Sequence, residues 1–167
     1  MSDTAMVKTA AVLTISDRSF AGERVDTGGP PLCQLLQDAG WNVIETVLLP
    51  DERDGIEAAL LGLCARRIAL VVTTGGTGLG PRDVTPEATR AVITRDVPGL
   101  AESMRRQGEA QTPYAVLSRG VCGAREGTLI VNLPGSPKGA LESLQSVLKV
   151  LSHAVEVLRS PYFNHNE

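Results

Sequence analysis

The stretch IALVVTTGGTGLGPRDVTPEAT, Ile68–Thr89, runs from an apolar segment through four glycines in six residues into a Thr-Pro-Glu helix start. IALVVTT, Ile68–Thr74, is the most hydrophobic strand signal in the chain and suits a sheet covered on both faces. Gly75, Gly76, Gly78 and Gly80 permit positive φ and raise the entropy cost of folding, so the loop must gain something from bare backbone. Successive exposed N–H groups form an anion-binding concavity, and Thr77 adds a hydroxyl. Thr85 reads as an N-cap and Pro86 as the first helical residue, which places a helix N-terminus beside the loop. The pattern is not a Walker loop, because Pro81 stands where the lysine belongs; nor is it a dinucleotide fingerprint, which would need glycine at Pro81.

Outward from this segment, strand and helix signals alternate. Upstream, Val7–Ile15 predicts a strand and Gly28–Ala39 a helix closed by Gly40. Trp41–Leu49 predicts a second strand, stopped by Pro50, and Glu52–Arg67 carries Ile56, Leu60, Leu63 and Cys64 at helical spacing. Downstream, Pro86–Thr94 and Gly99–Gly108 predict short helices, and Tyr114–Leu117 and Thr128–Asn132 predict strands. Lys138–Leu158 is the longest helix, with Leu141, Leu144, Leu148, Leu151, Val155 and Leu158 along one stripe. This order predicts an α/β fold: a three-layer α/β/α sandwich around a mostly parallel sheet, as one domain spanning residues 5–160. The residues from Tyr162 onward are expected to be loose.

The bulk numbers remove several classes. The chain has 167 residues, 43% hydrophobic and 21% charged, with a net charge of −3. No dense run of Lys and Arg marks a nucleic-acid partner, and no apolar stretch has the ~20 residues that span a bilayer. The N-terminal MSDTAMVKTAAVLTIS does not read as an export signal, so a cytoplasmic protein is expected. Cys33, Cys64 and Cys122 form no CxxC and are expected to stay reduced; His153 and His165 have no zinc-site spacing.

In an open α/β sheet, ligands bind outside the carboxyl ends of the strands. Four such ends carry unusual sequence: ISDRSFAGERVDTGG (Ile15–Gly29), LLPDE (Leu48–Glu52), the glycine loop, and NLPGSPKG (Asn132–Gly139). In the last, Pro134-Gly135 turns the chain, Ser136 caps a helix, and Lys138 sits near its N-terminus, where positive charge is unfavourable unless an anion binds. Asp51 and Asp83 follow different strands and should face one another. Two carboxylates beside a phosphate loop suit Mg²⁺, which takes its remaining oxygens from phosphate and water. Ser16 and Asp17 lie at the mouth of the sheet.

The motifs LTISDR, LPDE, GGTGLGPRDVTPEAT, VPGLAESMR, LSRGVCG and LIVNLPGSPKG together closely resemble the MogA/MoaB-type molybdopterin adenylyltransferases, whose molybdopterin-binding fold also occurs in gephyrin. The likeness covers nearly the whole chain. It implies an enzyme of molybdenum cofactor biosynthesis that joins ATP to molybdopterin and releases pyrophosphate. It also implies a homotrimer with transient contact to a downstream molybdenum insertase. The family's catalytic carboxylates match Asp51 and Asp83. Its nucleotide and pterin contacts map to Ser16, Asp17, Gly75, Gly76, Thr77, Gly78, Thr85, Glu87, Ser118, Asn132, Pro134, Gly135 and Lys138. One departure is Cys122, where a small residue, usually Ala, is expected, with Glu126 following near a substrate surface. The competing readings are a non-catalytic pterin-binding or scaffold protein, and a hydrolase of nucleotide pyrophosphates.

Overall fold

The computed structural model describes residues 8–160; Val7, His165 and the stretch from Tyr162 lie outside the described residues. Strands β1 (Thr9–Ile15), β2 (Asn42–Leu49), β3 (Leu70–Thr74), β4 (Arg95–Asp96), β5 (Cys122–Arg125) and β6 (Thr128–Leu133) form one sheet in the order β2-β1-β3-β6-β5-β4. The first four in that order run parallel, and β5 and β4 are antiparallel to their neighbours. The helices are α1 (Asp17–Phe20), α2 (Gly29–Asp38), α3 (Arg53–Ala65), α4 (Thr85–Val92), α5 (Pro98–Glu109) and α6 (Pro137–Arg159).

The side-chain period of a strand is two, and it sorts the core into two halves. Ala10, Val12, Leu70, Val72, Leu129 and Val131 pack on α2, α5 and α6. Ala11, Leu13, Ile15, Val71 and Ile130 pack on α3 and α4. All five residues of β3 are buried, as a strand covered on both faces requires. The three-layer α/β/α prediction therefore holds. The stripe on α6 also holds: Leu144, Leu151 and Val155 are buried, with Leu141, Leu148 and Leu158 packed partly against them.

The chain leaves β1 for the α2 face and leaves β3 for the α4 face. Adjacent parallel strands whose connections depart to opposite faces open a crevice between their carboxyl ends. Ser16 and Asp17 at the end of β1 and the glycine loop at the end of β3 flank this crevice.

Three local expectations need correction. Tyr114–Leu117 is not a strand but lies in a 3-10 helix, Pro113–Leu117. The apolar residues there find no ladder, because the edge of β6 is taken by β5 in a hairpin turning at Glu126-Gly127. Glu126 sits in that turn with φ of 51°, and the CGAR sequence of β5 hides a strand behind a glycine. Second, the N-cap of α4 is Val84, and Thr85 is the first helical residue. The Thr85 hydroxyl is instead drawn inward, donating to the Gly75 carbonyl at 2.9 Å. Third, among the loop glycines only Gly75 and Gly76 use positive φ. Gly78 and Gly80 are needed for space, since a Cβ at either would stand 2.9 or 2.8 Å from Asp83 Oδ2.

Candidate functional site

The crevice holds two adjoining cavities. The smaller, about 610 Å³, is lined by Ser16, Asp17, Asp51, Gly75, Gly76, Asp83 and Gly135, with Arg18, Arg24 and Asp26. The larger, about 790 Å³, extends from Gly76, Thr77, Gly78, Asp83, Ser118, Asn132, Pro134 and Gly135 between α5, the 3-10 helix and α6. Gly76, Asp83, Gly135 and Ser136 line both. The parallel strands thus bring most of the sequence-predicted residues to one place.

Three of those residues line neither cavity. Thr85 is wholly buried under the loop. Glu87 pairs with Arg119, whose guanidinium holds its carboxyl below the usual range. Lys138 is 80% exposed, with its ammonium 3.8 Å from Glu142. A fourth, Asn132, lines the larger cavity, but its amide is fully engaged. Nδ2 donates to the hydroxyls of Thr73 and Thr89 at 3.0 Å each, and Oδ1 accepts from Val121 N–H at 3.1 Å. It ties β6 to β3, α4 and the approach to β5. Asn132→Leu keeps the volume but orphans three buried groups, and a loss of about 2–4 kcal/mol is expected in urea unfolding.

Asp51 and Asp17 are clasped reciprocally. Asp17 N–H donates to Asp51 Oδ2 and Asp51 N–H donates to Asp17 Oδ1, both at 2.9 Å. Arg82 closes the set with a bidentate fork on Asp17, Nε to Oδ2 and Nη2 to Oδ1, both at 2.9 Å. The fork and the Asp51 N–H hold the Asp17 carboxyl below its ordinary range. Asp51 moves the other way. Burial pushes its carboxyl up, the Asp17 N–H opposes this, and the charges of Asp17 and Asp83 add to the rise.

Asp83 Oδ2 accepts from Gly80 N–H at 2.8 Å, which folds the loop back on its own carboxylate. Oδ1 of Asp51 and Oδ1 of Asp83 accept no hydrogen bond from the described residues. A pair of hard oxygens with uncompensated charge fits Mg²⁺, which draws its other ligands from phosphate and water. No larger cluster of metal-binding side chains occurs among the described residues. The loop supplies the complementary sign: N–H groups at Gly76, Thr77 and Gly78 have no partner among the described residues and border the cavities.

Arg119 was not singled out in the sequence. Its N–H donates to Thr77 O, its Nε to Gly78 O and its Nη2 to Asp83 O, at 2.9, 2.8 and 2.8 Å. One side chain, 36 residues away from Asp83, therefore staples the glycine loop. Only its place in LSRGVCG hinted at this. Asp26 was also missed; its Oδ1 accepts from Gly28 and Gly29 N–H at 3.0 Å each and shapes the entry to α2. Cys122 is buried to 1%, and burial pushes its thiol up to about 12, so it presents no thiolate to a ligand. Glu126, in the hairpin turn, lines neither cavity.

A family model described as a probable molybdopterin binding domain matches residues 11–153. The chain is 40% identical over 159 residues to the molybdopterin adenylyltransferase of Helicobacter pylori, covering 93% of this chain and 90% of that one. It is 44% identical over 153 residues to the molybdenum cofactor synthesis protein cinnamon of Drosophila melanogaster, covering 90% of this chain but only 25% of cinnamon. Among solved structures, the molybdopterin biosynthesis enzyme MoaB of Thermus thermophilus superposes with a TM-score of 0.85 at 50% identity, over 90% of this chain and 95% of that one.

Proposed function

This chain belongs to the molybdopterin-binding domain family, and on that premise we propose that it is a molybdopterin adenylyltransferase of molybdenum cofactor biosynthesis. It transfers AMP from ATP to molybdopterin and releases pyrophosphate. The observation that carries this reading is the pair of cavities meeting at Gly76, Asp83, Gly135 and Ser136. Two substrates have room, and their phosphates meet at the glycine loop. The similarity to the molybdopterin adenylyltransferases of Helicobacter pylori and Escherichia coli supports the same reaction.

The nucleophile is the terminal phosphate of molybdopterin, already ionised at neutral pH. Its oxygen attacks the α-phosphorus of ATP, and the bond to pyrophosphate breaks. No protein nucleophile or strong base is needed; the cysteine thiols are raised rather than activated. The chain's task is positioning and charge stabilisation. N–H groups of Gly76, Thr77 and Gly78 receive phosphate oxygens, and Arg119 keeps the Thr77 and Gly78 carbonyls turned away from the ligand. Arg82 fixes Asp17, and through it Asp51, while Gly80 N–H holds the Asp83 carboxylate. Asp51 and Asp83 would hold Mg²⁺, which would neutralise charge on the triphosphate.

No described helix is long and apolar enough to cross a membrane. A cytoplasmic homotrimer fits this reading, as does transient contact with a molybdenum insertase. Cinnamon and a bifunctional molybdenum cofactor protein of Synechococcus elongatus carry the matched segment within longer chains, which supports such a partner.

The test is incubation of the protein with ATP, Mg²⁺ and molybdopterin, with mass detection of adenylyl-molybdopterin and pyrophosphate. Product in both channels is expected. Tight pterin binding without product would make the protein a carrier, and nucleotide breakdown without pterin would make it a hydrolase.

A further inference from the structure

Resting on the adenylyltransferase reading, we infer that Glu142 reads the pterin ring: its carboxylate accepts the N3–H and the 2-amino group of molybdopterin. Only two acidic residues line the larger cavity, Asp83 and Glu142. Asp83 belongs to the phosphate junction and is tied to the glycine loop. Glu142 lies on α6, six residues beyond the capping Ser136, which places it roughly 9 Å further along the helix at 1.5 Å per residue. A ligand whose phosphate rests at Gly135 and Ser136 extends its ring in this direction.

The carboxylate is available. Glu142 accepts no hydrogen bond from the described residues, and Lys138, 80% exposed, stands 3.8 Å away, beyond hydrogen-bond length. The other groups around it do not compete for the role. Arg105 Nη1 is committed to the carbonyls of Ser118 and Gly120. Gln107, Gln111 and Gln145 carry amides that donate and accept alike and so do not discriminate one ring edge from another. Ala101 and Met104 give the wall an apolar surface for a flat ring.

The chemistry selects which ring this is. The pyrimidine edge of a pterin presents two donors side by side, which a carboxylate accepts in a bidentate pair. Adenine presents a donor beside an acceptor, and the acceptor would face a second carboxylate oxygen. Glu142 therefore directs the pterin, not the nucleotide, into the larger cavity.

The test is equilibrium binding, by fluorescence quenching, of 6-hydroxymethylpterin monophosphate and of its lumazine counterpart, in which a carbonyl replaces the 2-amino group. The parent chain is expected to prefer the pterin by roughly ten- to hundredfold, the loss seen when a charged hydrogen bond is replaced by facing acceptors. Glu142→Gln is expected to reduce that preference to within about threefold and to raise the KM for molybdopterin while leaving the KM for ATP unchanged. Glu142→Asp, which keeps the charge and shortens its reach, serves as the second variant, and melting curves check that each is folded. Equal binding of the two probes by the parent chain overturns the inference whatever the variants do. So does a folded Glu142→Gln variant that keeps the parent's preference. Adenylyl transfer by the parent chain is scored separately. An active parent whose Glu142→Gln variant still prefers the pterin refutes the role of Glu142 alone; a selective parent that makes no product refutes the enzyme reading alone.

Discussion

Asp83→Asn is expected to form adenylyl-molybdopterin roughly 10²–10³ times more slowly than the parent chain while unfolding at nearly the same urea concentration. The carboxylate lies at the junction of the two cavities, and its only hydrogen bond among the described residues is from Gly80 N–H, which an Asn carbonyl also accepts. What is lost is charge, at the junction where the proposed reaction would bring the triphosphate and the pterin phosphate together. Asp51→Asn should fall in activity by a similar factor, with a distinct stability signature. Burial raises the Asp51 carboxyl in the folded chain above its ordinary value. A raised carboxyl costs stability as pH climbs through the unfolded and then the folded value, and costs nothing below both. Asn carries no such cost and still accepts from Asp17 N–H. Asp51→Asn is therefore expected to melt higher than the parent at pH 7, with the difference closing below about pH 4. Parallel melts at pH 7 and 3.5 with turnover assays check both halves. Normal turnover in Asp83→Asn would remove the metal-carboxylate reading.

Gly75→Ala is expected to destabilise the fold by about 3–5 kcal/mol, the largest effect of any single methyl on this chain. Gly75 has φ of 99°, and a Cβ there would stand 2.1 Å from the Ile15 carbonyl oxygen. That oxygen is backbone at the end of β1 and cannot swing aside. The loop is also pinned from above and below: Gly75 N–H donates to Leu133 O at 3.3 Å, and Thr85 donates to Gly75 O. Relief by moving the loop would break these bonds. Gly22→Ala and Gly40→Ala are the controls, since both have positive φ but open space around the missing Cβ. They should cost about 1 kcal/mol each, the backbone strain alone. If urea titrations put Gly75→Ala in the same range as the controls, the close approach of the glycine loop to β1 is wrong.

The elements that could be read from sequence are those whose signals are local. Gly28-Gly29-Pro30-Pro31 opens α2 and Gly40 follows it; Ser136-Pro137 opens α6, with the Ser136 hydroxyl accepting from Gly139 N–H at 3.2 Å. IALVVTT declared a central strand by its unbroken apolar run. The hairpin β5–β6 could not be read this way. Glu126-Gly127 is a weak turn signal, Cys122–Arg125 is short and holds a glycine, and the apolar PYAVL nearby offered a better-looking strand. Which of two segments pairs with β6 depends on space beside β6, not on either segment alone. Gly123 has that space in view: a Cβ there would meet Ile93 at 2.5 Å and Arg95 O at 2.7 Å.

The site divides along the same line. Sequence alone placed four unusual loops, rich in glycine and carboxylates, after four strands, and the parallel order of those strands sends all four to one edge. It also determined the family, through motifs spread along the chain. Tertiary structure decided which of the named residues line the two cavities and which brace them. The family resemblance names Thr85 and Asn132 as ligand contacts; in the fold both side chains also tie buried structure together, since a polar group beneath a glycine loop must find a partner there. Arg119 and Arg82 look like ordinary surface cations, yet they reach 36 and 65 residues along the chain to fix Asp83 and Asp17. Caps, turns and strand runs are written within a few residues because their hydrogen bonds close within a few residues. The bonds that aim this site close across the sheet, and only the folded chain brings their two ends together.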